Sequence, residues 1–170
     1  HTYTFSIDNY KVNRNEQWYY RMSSIPDNWF DNDLSGWNQA NRGTFPQSSN
    51  QIQLYKKTFN LATVNEVSSI SLNIRYLYGC LVYINGHQLF SNHLSLPLTS
   101  SRFATQSYSQ LLYRSITLPP RLVDSGQSTP LLQQGSNVIA IAIIAASANQ
   151  RDSLFDASLR FIYNQPLSHI

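Results

Sequence analysis

Asn85-Gly86 is the feature that most limits what this chain can become, because it readily supplies the two positive φ angles of a type I′ turn, and such turns join antiparallel strands. The residues before it, SISLNIRYLYGCLVYINGH over 69–87, fit that role. Ile70, Leu72, Ile74 and Tyr76 alternate with Ser69, Ser71, Asn73 and Arg75, the period of two of a half-buried strand. Gly79 interrupts the run; Cys80, Val82 and Ile84 then share one face, with Leu81 and Tyr83 on the other. The simplest expectation is a three-stranded antiparallel meander, reversing at Tyr78-Gly79 and again at Asn85-Gly86, with 88–90 starting the third strand.

Further strands follow the same pattern along the chain. Tyr3, Phe5 and Ile7 alternate with small polar residues, and Asp8-Asn9 offers a turn after them. Trp18, Tyr20 and Met22 form a second alternation; Tyr55, Lys57, Phe59 and Leu61 form another. Residues 111–118 read as a strand closed by Pro119-Pro120, a pair confined to an edge or an exit. Residues 138–146 are apolar on both faces, as in a strand buried between a sheet partner and an opposite layer. From Asp156, inward Ala157, Leu159, Phe161 and Tyr163 alternate with outward Ser158, Arg160 and Ile162. The one helix signal is a single turn capped by Thr129, with Pro130 first and Gly135 past the end. Eight or nine strands are expected, which suits an all-β jelly-roll sandwich of two antiparallel sheets. Gly86→Val should disturb it clearly, and Gly126→Val little.

Several of these residues carry a resemblance. Arg75-Tyr76, Gly79 and 82–87 (VYINGH), then 135–140 (GSNVIA) and 152–159 (DSLFDASL), resemble signature segments of galactose-binding-like β-sandwich domains, accessory modules of glycoside hydrolases, phosphatases and secreted adhesins. The similarity covers roughly the last two thirds of the chain. One position departs: the family's acidic residue before the glycine is here Tyr78. The resemblance implies a jelly-roll sandwich that binds through loops at one end, and it allows a structural Ca²⁺ to which Asp152 would contribute.

Bulk properties narrow the classes. At 170 residues one domain is expected, and His1 in place of an initiator Met suggests excision from a longer chain with covalently linked neighbours. Charged residues make up 12 %, against about 25 % on average, and the net charge of +3 comes from scattered bases, which argues against nucleic acid. No apolar stretch reaches the length of a membrane span. One cysteine, Cys80, excludes an intrachain disulfide and reads as a buried hydrophobe.

Chemistry is sparse. Asp27, Asp31 and Asp33 look like turn formers, and Asp156, at a strand start, like an acceptor of backbone hydrogen bonds. No nucleophile elbow surrounds any serine, and four dispersed histidines with one cysteine give no zinc spacing. No catalytic residue, cofactor or metal is expected. Binding remains, with a glycan or glycoprotein as the leading partner. Tyr78 and Asn92-His93 fall at the strand ends opposite Asn85-Gly86, and the resemblance places Asn149, Arg151 and Asp152 there too. Together these six would form one rim, unless they are only solvated loop residues. In the long aromatic stretch 23–50, Trp29 and Trp37 either pack down over one mouth of the sandwich or offer a sugar-stacking platform. The expected function is that of a non-catalytic, lectin-like module of an extracellular or cell-surface protein. The alternative is a structural or adhesive domain mediating protein contacts or self-association.

Overall fold

Twelve strands form among the described residues, which in this computed structural model are 3–22, 24–48, 51–94, 96, 98–99, 103–106 and 112–167. In chain order they are β1 (Tyr3–Val12), β2 (Trp18–Arg21), β3 (Asn38–Ala40), β4 (Ile52–Leu61), β5 (Val67–Arg75), β6 (Gly79–Ile84), β7 (His87–Asn92), β8 (Arg114–Leu118), β9 (Arg121–Asp124), β10 (Gln127–Pro130), β11 (Gly135–Ile144) and β12 (Asp156–Leu167). One sheet has the order β1-β12-β5-β8, the other β3-β2-β4-β11-β6-β7, and β9-β10 form a separate hairpin. The described pairings are antiparallel, and the two large sheets face each other as a β-sandwich.

The alternations of the sequence become the two faces. Ile70, Leu72 and Ile74 of β5 and Ala157, Leu159 and Phe161 of β12 bury themselves against Tyr55, Phe59, Val82, Ile84, Ile139 and Ile141 of the other sheet. Each aliphatic side chain sealed this way is worth roughly 1.5–3 kcal/mol against leaving it in water. β11 is apolar on both sides for the expected reason: Ile139, Ile141 and Ile143 face the inter-sheet core, while Ala140, Ala142 and Ile144 face a second cluster with Ile52, Leu54 and Leu81. Residues 24–37 roof that second cluster, placing Trp29 6 % exposed among its side chains. Trp29 and Trp37 therefore cover the outer face of the six-stranded sheet rather than a mouth of the sandwich, whereas Phe45 packs on Tyr20, Tyr55 and Phe155 beside the inter-sheet core.

Other expectations change. Asn85-Gly86 is the turn of the β6-β7 hairpin, with φ of 49° and 81°. Tyr78-Gly79, however, joins no hairpin. β5 pairs with β12 and β8, β6 pairs with β11 and β7, and the link 76–78 carries the chain from one sheet to the other. A hairpin and a sheet-to-sheet corner both reverse the chain after an alternating run, so local pattern cannot separate them. The single helical turn at 129–134 is absent; Ser125-Gly126 instead closes the β9-β10 hairpin, and Pro130 ends β10. β1 runs through Asp8-Asn9 to Val12, and the chain turns at Arg14-Asn15, where Asn15 takes φ 69°. His1, Arg102 and His169 lie outside the described residues.

Candidate functional site

The end of the sandwich opposite Asn85-Gly86 collects six of the seven residues singled out from sequence. Cys80 pairs with Asn92 and Gly79 with Ile144, so the ends of β6, β7 and β11 meet there. A short strap ties them: Thr105 N–H donates to the His93 carbonyl at 2.8 Å, and Ala104 N–H donates to the Ala145 carbonyl at 2.9 Å. The strap explains Gly79, since a Cβ there would stand 2.7 Å from Leu94 Cδ2 and 2.9 Å from Ala104 Cβ. Gly79 is thus a close-approach glycine, while the positive φ of the corner falls on Tyr78, at 78°.

The loop 145–155 reaches this end on buried anchors. Phe155 stacks on Tyr55 at 4.0 Å and meets the edge of Trp18 at 4.9 Å. Gln53 Nε2 donates to the Asp152 carbonyl at 2.7 Å, and Tyr55 Oη donates to Gln53 Oε1 at 2.8 Å. Ser153 Oγ donates to the Pro46 carbonyl at 2.6 Å, and Ser48 N–H donates to the Arg151 carbonyl at 3.3 Å. Asn149, Arg151 and Asp152 remain exposed on this fixed loop.

The other rim residues are held more tightly. Tyr78 is 6 % exposed; burial raises its phenol pKa, the Asp152 carboxylate adds to the rise, and a hydrogen bond from the Asp152 backbone opposes it. Asn92 Nδ2 donates to the Tyr76 hydroxyl at 2.8 Å. His93 is half-buried at φ 58°. Tyr78 and His93 share this left-handed backbone region with the turn residues Asn15, Asn28, Asn85 and Ser125. Trp37 does not join them: its ring lies 4.5 Å from Lys56 Nζ, over the outer face of the six-stranded sheet.

The acids hold the positions of structural groups. Asp31 Oδ1 accepts from Asp33 N–H at 3.0 Å and from Lys56 Nζ at 3.1 Å, and Asp33 Oδ1 accepts from Ser35 N–H at 2.9 Å. That last bond holds the Asp33 carboxyl below its ordinary range. Asp156, 1 % exposed, accepts from Asn15 N–H at 3.0 Å and from the Tyr113 hydroxyl at 2.5 Å. Burial pushes the Cys80 thiol well above its usual range, which suits a packed hydrophobe and not a nucleophile. Among the described residues, no three His, Cys, Asp or Glu are grouped to hold a metal.

A concavity elsewhere on the molecule was not foreseen from the sequence. It lies on the outer face of the four-stranded sheet, about 480 Å³, with Arg14, Asn73 and Arg160 in its wall. Its only sequence signal was the polar half of the alternations in β5 and β12, which cannot be assembled without knowing that those strands pair.

Comparison with known proteins adds the fold's context. No protein-family model matches the chain, and no curated protein matches it in sequence. Solved structures do. The chain is similar over 91 % of its length to a glycosyl hydrolase family 2 member from Bacteroides cellulosilyticus DSM 14838, with TM-score 0.56 and 14 % identity, and covers 20 % of that chain. Over 95 % of its length it is similar to Bacteroides uniformis beta-glucuronidase 2, with TM-score 0.53 and 16 % identity, covering 18 %. Over 94 % it is similar to a Ruminococcus gnavus β-glucuronidase in complex with D-glucuronic acid, with TM-score 0.52 and 10 % identity, covering 29 %. The likeness is one of fold. The chain spans between 18 % and 29 % of these three glycoside hydrolases, and the shared part is an all-β domain.

Proposed function

We propose that this chain is a non-catalytic β-sandwich domain of a longer, extracellular or cell-surface carbohydrate-active protein, and that it binds glycan through the loops at the Tyr78–Asp152 end. The observation that carries the reading is the asymmetry of coverage: over nine tenths of this chain superposes on 20 % of a glycoside hydrolase. The use of Asp31, Asp33 and Asp156 in turns, an ion pair and backbone hydrogen bonds supports a non-catalytic role. At the rim, Arg151 and Asp152 offer a guanidinium and a carboxylate to sugar hydroxyls from a loop fixed by Gln53 and Ser153. No cofactor enters this reading; a structural Ca²⁺ would draw on Asp152 and nearby carbonyls. A structural or adhesive role is the second reading. It is favoured by Tyr78 and Asn92, whose side chains are spent on holding the corner and not on display.

A glycan array probed with this chain tests the proposal. Binding should be lost in Asp152→Ala and Arg151→Ala, both exposed, with the melting temperature unchanged; Tyr78→Ala would confound binding with stability. A blank array together with self-association in sedimentation would sink the glycan reading in favour of the adhesive one.

A further inference from the structure

We infer that the outer face of the β1-β12-β5-β8 sheet is a second binding surface, built for a carboxylate-bearing glycan. It deepens the carbohydrate reading but uses none of the rim residues. The register places two polar rows side by side across the sheet. Tyr10 pairs with Arg160 and Arg160 with Ser71; Ser158 pairs with Asn73 and Asn73 with Ser115. Short serines make the floor, and the longer Tyr10, Arg14 and Arg160 make the flanks, leaving a trough of about 480 Å³. Four strands at about 4.8 Å spacing make it roughly 14 Å long, enough for a short run of sugar rings.

An outward sheet face is ordinarily a solvated face, and three features distinguish this one. Arg14 is held in place: its Nε, at 3.1 Å, and Nη2 both donate to Asn73 Oδ1, and its guanidinium lies 3.5 Å from the centre of the Tyr113 ring. Asn73 is fixed in turn by donating to Ser115 Oγ at 3.1 Å. Asn73 accepts from only two of the five N–H donors that the guanidinium carries, so the fork is positioned before any ligand arrives. Tyr10, 51 % exposed, supplies an open aromatic ring at the flank. Among the described residues, the lining carries the Arg14 guanidinium, with Arg160 beside it, and no carboxylate. An aromatic ring, hydroxyl and amide groups and a fixed guanidinium fork together match a sugar bearing a carboxylate, which arginine grips bidentately. Two arginines in a chain of net charge +3 are too few for a nucleic-acid footprint.

Isothermal titration of this chain with soluble polygalacturonate tests the inference, with a neutral galactan and dextran sulfate as comparison polymers. Polygalacturonate should bind, the galactan should bind at least tenfold more weakly, and Tyr10→Ala and Arg14→Ala should each weaken polygalacturonate by about tenfold with the melting temperature kept. Arg14→Lys should restore only part of the loss, because a point charge replaces the fork. Arg151→Ala and Asp152→Ala should leave this binding unchanged. Tighter binding to dextran sulfate would overturn the carboxylate assignment, and polygalacturonate binding indifferent to Tyr10→Ala and Arg14→Ala would overturn the surface. Binding to array glycans without binding to polygalacturonate would sink the groove alone; no binding to any glycan would sink both readings.

Discussion

Asn85 shows how a single residue ties a local turn to the whole sheet. Its backbone N–H donates to the Val138 carbonyl at 3.0 Å, its Oδ1 accepts from Val138 N–H at 3.0 Å, and its Nδ2 donates to the Leu131 carbonyl and to Asn137 Oδ1 at 2.9 and 2.8 Å. The β6-β7 turn is thereby bolted to β11. Gly86, at φ 81°, completes it, and a β-branched residue there is a genuine outlier. Gly126 proves to stand in the same region, at φ 80°, so the expectation that Gly126→Val costs little needs revision. Both substitutions strain the backbone, but the β9-β10 hairpin is two-stranded with β10 exposed throughout, whereas β6 is paired on both sides, with β11 and β7, inside the six-stranded sheet. Gly86→Val should therefore cost more than the roughly 1 kcal/mol of an ordinary glycine substitution, with Gly126→Val the smaller loss. Urea unfolding of the two variants checks the order, and equal midpoints would show that the turn's ties to β11 carry no stability.

At the scale of elements, β4 explains how residues 24–37 stay on the sheet. Lys56 points outward from β4 with its side chain 1 % exposed, under a roof that provides Asp31 Oδ1 at 3.1 Å, the Asp33 carbonyl at 2.9 Å and the Trp37 ring at 4.5 Å. Burial lowers the Lys56 pKa, and the hydrogen bond and charge of Asp31 hold it up. Removing the anion leaves a buried ammonium, so Asp31→Ala should cost about 1–3 kcal/mol, toward the lower end because the Asp31 side chain is 46 % exposed. Lys56→Met removes the charge together with its desolvation and should cost less. Chemical denaturation compares them; a larger loss for Lys56→Met would mean that the ion pair stabilises beyond its desolvation cost. In the sequence Lys56 stands only in the mostly polar row of Leu54, Thr58 and Asn60, opposite Tyr55, Phe59 and Leu61. Its pairing with residues 23–25 positions upstream depends on the roof.

Over the whole molecule, buried acids of the phenol and thiol kind set an alkaline limit. Burial raises the pKa of Tyr55, Tyr76 and Tyr163 above the ordinary 10.0, and of Cys80 above 9.0. These groups keep their protons in the native state while the unfolded chain loses them, so stability is intact below 9.0 and falls as pH climbs past 9.0 and then 10.0. Lys56 acts oppositely, since its native pKa lies under 10.5, but one lysine faces several tyrosines. Melting temperature should fall with pH from about 9 upward, and Cys80→Ala should move the onset toward 10.0. A melting temperature that holds steady across that range would refute the linkage. The sequence alone determined what is local and periodic: which residues of β5, β6 and β12 turn inward, that β11 is apolar on both faces, where the Asn85-Gly86 hairpin lies, and that the fold is an antiparallel sandwich. It also brought Tyr78 and Asn92 to one end, because a corner reverses the chain as surely as the expected hairpin would have; Asp152 was placed there only by the family resemblance. Only the tertiary structure decided which strand lies beside which. Pairing β5 with β12 joins residues as far apart in sequence as Leu72 and Leu159, 87 positions, and no alternation records such a partner. The Arg14–Asn73 contact and the trough beneath it exist only through that pairing.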